Sequence, residues 1–223
     1  MSLGKIYYNP EHAARFGSVA KLVKASETNK GTVEWWLSVQ NTHTLHKHVR
    51  KMFPRNPYTV TNIDDVWEMD LADLSTVSKY NENYKYILYV IDIFSRYDWS
   101  VPLKDKTGTS ITTALKYLFR DRKPITIQSD KGTDFVSATV QQYLKRKNVN
   151  FHLTHNPDLK GAIIESFNRT LKTKIYKYFT KNNTYRYSDG IHKLVASYNF
   201  VHSTIGIPPS KVNPSNTYSI WKK

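Results

Sequence analysis

The sequence of 223 residues contains no cysteine. This absence excludes disulfides, zinc sites built from thiolates and a cysteine nucleophile, and it fits a reducing compartment. Long apolar runs are also absent. The longest, at residues 84–94, is far shorter than the roughly 20 residues that cross a bilayer, and the N-terminus has no apolar signal-peptide core. We therefore expect a soluble protein that is neither secreted nor inserted in a membrane.

Acidic residues are scarce beside basic ones, 18 against 33, so the net charge is +15 and the pI is about 9.7. An excess of this size favours a polyanionic partner, either nucleic acid or an acidic membrane surface, over a basic surface kept only for solubility. Nucleic acid is the partner we favour. Hydrophobic residues make up 39% of the chain, which is enough to build a core.

A basic segment punctuated by prolines, residues 46–61, is predicted to be a linker. It would join an N-terminal helical module, residues 1–45, to a larger domain at 62–216 that is followed by a short tail at 217–223. In the module, residues 18–25 and 32–39 are predicted to form two short helices. The pattern fits a helix-turn-helix, and it fits equally well a helical hairpin that buries Trp35, Trp36 and Leu37.

The larger domain alternates between the periods of strands and helices. Residues 66–71, 84–94 and 98–103 have strand patterns, and the second of these is nearly continuously apolar, as in a buried central strand. Helical spacing follows in three segments, and short strands are predicted at 125–127 and 151–153 between them. The helical apolar positions are Ile111, Ala114, Leu115, Leu118 and Phe119, then Val136, Val140, Tyr143 and Leu144, then Ile164, Phe167, Leu171, Ile175 and Tyr178. With a last helix near 188–202, this order predicts an α/β domain with a mixed sheet.

Two aspartates lie at strand positions where a catalytic carboxylate is expected. Asp70 lies on a strand face opposite Met69 and Leu71, in an apolar element where an ionised group needs a counter-charge. Asp130 follows a short apolar strand, where an α/β sheet usually presents its ligand site. Phosphodiester transfer requires that a nucleophile be activated and a leaving oxygen be neutralised. Two Mg²⁺ ions held by converging carboxylates would do both.

The third candidate carboxylate is Glu165, in the first turns of the helix predicted from about Gly161 to Lys181. Beside its apolar stripe, Glu165 begins a second stripe that continues through Asn168 or Arg169 and Lys172. An acid followed by cations suits a metal site next to a DNA backbone, although a solvated charged face gives the same pattern.

Other acids compete for these roles. Asp64, Asp65 and Asp73 flank the first strand. Asp92 has neighbours typical of a core and is interpreted as an anchor for the strand end near Arg96. Asp134 is interpreted as a residue that caps or orders the loop before the next helix.

Four sequence segments carry a family resemblance. They are Trp67-Glu68-Met69-Asp70, residues 86–95, Ser129-Asp130-Lys131-Gly132-Thr133-Asp134-Phe135 and residues 164–172, and a later Tyr198-Asn199, His202, Gly206 and Pro208-Pro209 completes the set. On these motifs the chain, from about Tyr58 to Pro214, resembles retroviral-type integrases and, more closely, the integrases of Maverick or Polinton DNA transposons.

The resemblance implies a ribonuclease H-like fold, with a mixed five-stranded sheet flanked by helices, and a catalytic triad of Asp70, Asp130 and Glu165. It further implies 3′-end processing and strand transfer with two Mg²⁺ or Mn²⁺ ions, on element ends and target DNA, by a dimer or tetramer. The expected location is the nucleus, or wherever the element DNA is integrated. The residues expected along the DNA are Lys131, Asn156, Lys160, Asn168, Arg169 and Lys172.

The sequence departs from the family pattern in three ways. Asp130 and Glu165 have 34 residues between them (165 − 130 − 1), a spacing within one residue of the usual retroviral value. Without cysteine the usual His-His-Cys-Cys zinc module cannot form. The 223 residues leave no room after the core for the family's C-terminal β-barrel, so we expect either a truncated chain or a shorter relative. Two alternatives stay open: a ribonuclease H-like nuclease that cuts without joining, which the C-terminal signature disfavours, and a domesticated DNA-binding protein without activity.

Overall fold

The structure is a computed structural model that describes residues 2–46, 60–130, 132–153, 162–201 and 205–222. The helices are α1 Leu3–Tyr8, α2 Val19–Ser26, α3 Lys30–Ser38, α4 Asn41–Thr44, α5 Gly108–Leu118, α6 Ala138–Arg146, α7 Ala162–Asn182, α8 Ile191–Phe200 and α9 Thr217–Trp221. The strands are β1 Val66–Asp73, β2 Tyr86–Asp92, β3 Asp98–Leu103, β4 Thr126–Ser129 and β5 Asn150–Leu153. Within the described ranges, no helix is both long enough and apolar enough to cross a membrane.

The five strands form one mixed sheet in the order β3-β2-β1-β4-β5. The first three strands pair antiparallel, whereas β1 with β4 and β4 with β5 pair parallel. The parallel pairs are connected through helices, because a parallel connection must cross over the sheet. The predicted mixed five-stranded sheet with flanking helices is therefore confirmed.

Two apolar cores lie on opposite faces of the sheet. Met69 of β1 joins the core beneath α5 and α6, and Ile87 of β2 joins the core beneath α7 and α8. Asp70 points to the second face, because neighbouring residues of a strand alternate. The strand periodicity thus brings Asp70 to the face that α7 covers.

On the first face, α5 begins at its predicted cap, whereas α6 does not begin where its apolar spacing predicts. The Thr107 hydroxyl accepts a hydrogen bond from the Ser110 amide at 3.3 Å, and α5 buries the predicted stripe up to Leu118. The prediction for Val136 was wrong: α6 begins after Ser137, and Val136 is 43% exposed in the preceding loop.

The N-terminal residues form a small helical module, α1 to α4, around a core of its own that includes Leu22 and Leu37. The α1 helix was not predicted. Trp36 packs on this core, whereas Trp35 is 67% exposed, so the prediction that a hairpin buries Trp35 was wrong. The module rests on α7 and α8, and Tyr178 of α7 packs against both the module core and the core of the second sheet face. The boundaries proposed for module, linker, core and tail stay predictions, since residues 47–59 lie outside the described part of the chain.

Candidate active site

The parallel pairing of β1 with β4 brings two of the candidate acids together. Met69 pairs with Ser129 in this register. The next residue along the chain is Asp70 after Met69 and Asp130 after Ser129. The two aspartates therefore lie side by side where β4 ends. This is the edge at which an open α/β sheet offers room for a ligand, because the chains diverge there into loops.

Asp70 is half-buried and has partners for both carboxylate oxygens. The Leu71 amide donates to Oδ1 at 2.8 Å, and Asn168 Nδ2 donates to Oδ2 at 2.9 Å. Burial raises the pKa of Asp70, the two hydrogen bonds oppose this change, and the negative charges of Asp130 and Glu165 raise it further. Asp70 thus lies within electrostatic range of both Asp130 and Glu165.

The other two acids of this group face solvent. Asp130 Oδ1 accepts a hydrogen bond from the Gly132 amide at 3.1 Å, which orders the turn after β4. Glu165 lies in the first turn of α7, where neighbouring Ile164 and Phe167 are buried against the sheet. The buried apolar stripe fixes the rotation of α7 about its axis and so determines which edge carries Glu165.

A fourth acid, Glu68, was missed as a candidate from the sequence. It is 3% exposed and lies two residues before Asp70 on the same strand face. Gln128 Nε2 of β4 donates to Glu68 Oε1, and the Ile164 amide of α7 donates to Oε2, both at 2.8 Å. Burial raises the pKa of Glu68 despite these two donors and the charge of Arg96. Its alternation with Met69 in an apolar strand is the signal that could have identified it.

Glu68 therefore connects the three elements that carry the candidate triad. It belongs to β1 with Asp70, it binds β4 two residues before Asp130, and it binds α7 one residue before Glu165. A carboxylate suits this position because it accepts from both donors at once.

The competing acids have structural partners away from this edge. Asp92 is buried, accepts from the Ser95 hydroxyl at 2.6 Å, and pairs with Arg122 at 2.6 Å. These contacts agree with the interpretation of Asp92 as an anchor of the strand end. Asp134 pairs with Lys106 at 3.3 Å and so connects the loops that precede α5 and α6.

The residues expected along DNA divide into three groups. Lys131, Asn156 and Lys160 lie outside the described residues, as does His202 of the C-terminal motif. Asn168 is engaged by Asp70, whereas Arg169 and Lys172 are exposed on α7. Their roles in DNA binding stay predictions. Asn199 of the C-terminal motif clamps β3, because its amide group exchanges two 2.9 Å hydrogen bonds with the backbone of Asp98.

Carboxylate oxygens, here carried by a strand, a turn and a helix, are the type of ligand that a hard divalent cation takes. Among the described residues, no group of three or more acidic or histidine side chains is already arranged as a set of metal ligands. Asp70, Asp130 and Glu165 stay predicted ligands of an ion, and the amide of Asn168 occupies one oxygen of Asp70.

Comparisons with known proteins agree with this architecture. Residues 61–157 match the family described as the integrase core domain. A transposon-derived protein of Caenorhabditis elegans is 35% identical over 142 residues, which cover 62% of this chain and 49% of that protein. The Gag-Pol polyprotein of avian reticuloendotheliosis virus is 33% identical over 118 residues, which cover 50% of this chain and 10% of the polyprotein. The chain therefore spans about half the length of the first relative and a tenth of the second.

A solved structure shares the fold. One chain of the cryoEM structure of the simian T-cell lymphotropic virus intasome, in complex with PP2A regulatory subunit B56 gamma, aligns with a TM-score of 0.58 and 18% identity. The alignment covers 83% of this chain and 69% of that chain. The fold is thus the ribonuclease H-like fold of integrases. Residues 61–157 are thus similar to the integrase core domain, and the proteins that resemble the chain include transposon-derived and retroviral Pol proteins.

Proposed function

We propose that this protein is a DNA integrase or transposase that processes 3′ ends of mobile-element DNA and joins them to target DNA. The observation that carries the proposal is the placement of Asp70 beside Asp130 at the end of β4, with Asn168, one helical turn after Glu165, hydrogen-bonded to Asp70. The match of residues 61–157 to the integrase core domain supports the same reaction class. The likeness to Maverick or Polinton integrases rests on sequence motifs alone and is part of the proposal.

Integrase core domains generally depend on divalent metal ions. Asp70, Asp130 and Glu165 would hold two Mg²⁺ or Mn²⁺ ions. Bound there, the ions would make the attacking water or 3′-hydroxyl more acidic and neutralise the leaving oxygen. Burial, and to a smaller extent the charges of Asp130 and Glu165, raises the pKa of Asp70, and a bound cation would oppose this rise.

The protein's own residues would position the DNA. Asn168 orients Asp70, and Glu68 connects α7 to β1 and β4. Arg169 and Lys172, exposed on α7 one and two turns beyond Glu165, would hold phosphates by charge without reading sequence. Lys131, Asn156 and Lys160 belong to the same proposed DNA track. Integration at two ends needs at least two active sites, so we propose a dimer or tetramer on DNA, acting in the nucleus or wherever the element DNA is integrated.

A strand-transfer assay tests the function. The purified protein, with Mg²⁺ or Mn²⁺, is incubated with a short duplex from the element terminus and a supercoiled plasmid. We expect joined products that disappear when the divalent ion is chelated. Nicking without joined product would contradict the proposal in favour of a nuclease. Salt-sensitive binding without nicking or joining would contradict it in favour of a domesticated binding protein.

The Asp130→Asn variant tests the assignment of the site. It removes a charge from the candidate metal ligands with little change in shape, so we expect joining to be abolished while DNA binding is retained. Asp134→Asn is the matched control, because Asp134 lies four residues away and pairs with Lys106 instead. Joining by Asp130→Asn at the rate of the control would remove Asp130 from the site.

A further inference from the structure

A row of aromatic side chains lies on the surface beside the C-terminal end of α7. The rings that meet in succession along it, with centroids 5.3–6.0 Å apart, are His46, Tyr176, Phe179, Tyr185 and Tyr80. These five residues form the ring row. Tyr185 is 55% exposed, Tyr80 44% and Tyr176 36%, whereas Phe179 is buried. Contiguous exposed rings of this kind often mark a binding surface.

The exposed pair Tyr80 and Tyr185 is held in place from beneath by Asn81. Asn81 is fully buried, its Nδ2 donates to the backbone carbonyl of Tyr185 at 2.8 Å, and its Oδ1 accepts from the Tyr187 amide at 2.7 Å. These bonds connect the short 3₁₀ helix Ser75–Tyr80, which follows β1, to the segment after α7. The two rings therefore meet at 5.3 Å, with 31° between their planes, in the protein alone. A surface that is ordered in advance loses little entropy on binding.

The ring row continues the charged stripe of α7. Arg169, Lys172 and Tyr176 follow one another at spacings of three and four residues, so they lie on one side of the helix, and all three are exposed. A DNA strand that follows this stripe away from the candidate triad would next reach the rings. At the other end of the row, Lys79 places its Nζ 4.9 Å from the centre of the Tyr80 ring. Cations therefore lie at both ends of the row.

The charges around the ring row favour an anionic ligand. Neither Lys79 nor Arg169 belongs to an ion pair within the described ranges. The acids beside the row, Glu82 and Asp189, both pair with Arg186, at 3.2 and 2.8 Å. Arg186 thus offsets their charge. Apolar rings between cations match the bases and phosphates of a nucleic acid strand.

Exposed rings favour a single strand over a duplex. Stacking on a ring needs a base with an open face, whereas an internal base of a duplex is covered on both faces by its neighbours. Such stacking tolerates any sequence, because every base has a flat aromatic face. Exposed tyrosines also occur in protein interfaces, but the cations at both ends and the continuity with α7 favour a polyanion.

We propose that the ring row binds single-stranded DNA, with bases stacked on its exposed tyrosines and phosphates held by Lys79 and Lys172. Buried Phe179 supports Tyr176 and Tyr185 from below through edge contacts. An unpaired stretch of the DNA strand that leaves α7 would lie here. The proposal rests on the proposed function only for the source of that strand.

Fluorescence anisotropy of the full chain with a labelled oligothymidylate tests this surface, without divalent metal so that no DNA is cut. The comparison strand has the same length and the same sugar-phosphate backbone but no bases. We expect the wild type to bind the oligothymidylate about fivefold or more tightly than the strand without bases, because only bases stack. Tyr185→Ala and Tyr80→Ala should each weaken oligothymidylate binding by about fivefold or more. Their binding of the strand without bases should not change.

Two further variants serve as controls. Tyr185→Phe keeps the ring and should bind oligothymidylate as the wild type does. Tyr117→Ala is the matched control, because Tyr117 is 62% exposed on α5 and also lies beside a cation, with Arg120 5.8 Å from its ring centre. The melting temperature of each variant shows whether it folds. Because Tyr80 and Tyr185 lie on different segments, the test stays valid if one alanine variant fails to fold.

Equal affinity of the wild type for the two strands would overturn the proposal. Oligothymidylate binding by Tyr185→Ala and Tyr80→Ala at the level of Tyr117→Ala would also overturn it. If light scattering then showed weaker self-association in the first two variants, the ring row would instead be an interface between copies of the chain. Absence of joining with ring-dependent binding intact would refute the proposed function alone. Joining without ring-dependent binding would refute this surface alone.

Discussion

Asn168 is the hydrogen-bond partner of Asp70, the half-buried member of the candidate triad. Its amide donates to Asp70 at 2.9 Å, and it lies one helical turn after Glu165. A neighbour of this kind fixes the orientation of a metal ligand without binding the metal. Its place in the sequence, between Glu165 and Lys172, predicts a DNA contact, and the contact with Asp70 adds a positioning role.

We expect Asn168→Ala to lower joining by about tenfold to a hundredfold, the usual effect of losing such a partner of a metal ligand. The Mg²⁺ concentration that gives half-maximal joining should rise with it. Ser166→Ala, a change at an exposed position of the same turn, is the control. Equal Mg²⁺ dependence in the two variants would contradict a positioning role for Asn168.

Asp98 is a buried acid outside the site, and it gives stability an unusual pH dependence. Its Oδ2 accepts from the Ser100 hydroxyl at 2.7 Å, and its Oδ1 has no partner among the described residues. Burial raises the pKa of Asp98 well above its ordinary value. The folded state therefore holds a proton that the unfolded state releases near pH 4, and the contribution of Asp98 to stability is lost as the pH rises through the folded pKa.

We expect Asp98→Asn to flatten the decline in unfolding free energy as pH rises from about 4. Each unit of raised pKa corresponds to about 1.4 kcal/mol. Urea unfolding at a series of pH values measures the difference between variant and wild type. Asp105→Asn is the control. Hydrogen bonds from Thr107 lower the pKa of Asp105, so this variant should change the pH dependence of the unfolding free energy in the opposite direction. Parallel profiles for wild type and Asp98→Asn would refute the assignment.

Glu68 connects β1, β4 and α7, and these long-range contacts could not be predicted from the pattern of β1 alone. Glu68→Leu would leave the Ile164 amide and the Gln128 side chain as buried donors without an acceptor, at about 1–3 kcal/mol each. We expect Glu68→Leu to lose stability and joining together. Glu68→Gln should retain most of both, since a rotated Gln128 amide can accept from the new side chain.

Hydrogen exchange separates the positioning role of Glu68 from general destabilisation. In Glu68→Leu, the Ile164 amide should lose protection at temperatures where the core of the sheet stays protected. Unchanged exchange at Ile164, or full joining by Glu68→Leu, would show that the start of α7 does not depend on this carboxylate.

The elements of the larger domain could be predicted because their patterns are local. The apolar run of β2 and the stripe of α5 are each readable within about ten residues, and both match the structure. α1 was missed because six residues give too little periodicity, and Val136 was misassigned because helical spacing continued into the loop before α6.

The candidate site could be predicted only one residue at a time. Asp70 and Asp130 were each recognisable from their strand positions. Their side-by-side placement depends on the parallel register of β1 and β4, which joins segments about 60 residues apart. The contacts of Glu68 with Ile164 and of Asn168 with Asp70 span 96 and 98 residues, so no local pattern could predict them.

The net charge of the whole molecule determines how strongly its DNA binding should depend on salt. With a net charge of +15, binding should weaken with salt at a slope of about −0.9 for each phosphate neutralised. We expect the double variant Arg169→Gln/Lys172→Gln to make that slope shallower by about 2, because each removed cation is proposed to contact one phosphate. Lys116→Gln/Lys145→Gln removes the same charge from helices on the opposite face of the sheet. Equal slopes in the two double variants would exclude α7 from the DNA track.

Tyr178 belongs to two hydrophobic cores at once, that of the module and that beneath the sheet. The module therefore packs on the outward face of α7, although α7 lies more than a hundred residues after the module in the sequence. A chimera that exchanges residues 1–45 between two relatives would separate the module from the helix surface on which it rests. Recombination within this gene would keep the module and the larger domain folded only if the segment that encodes α7 were exchanged together with the segment that encodes the module.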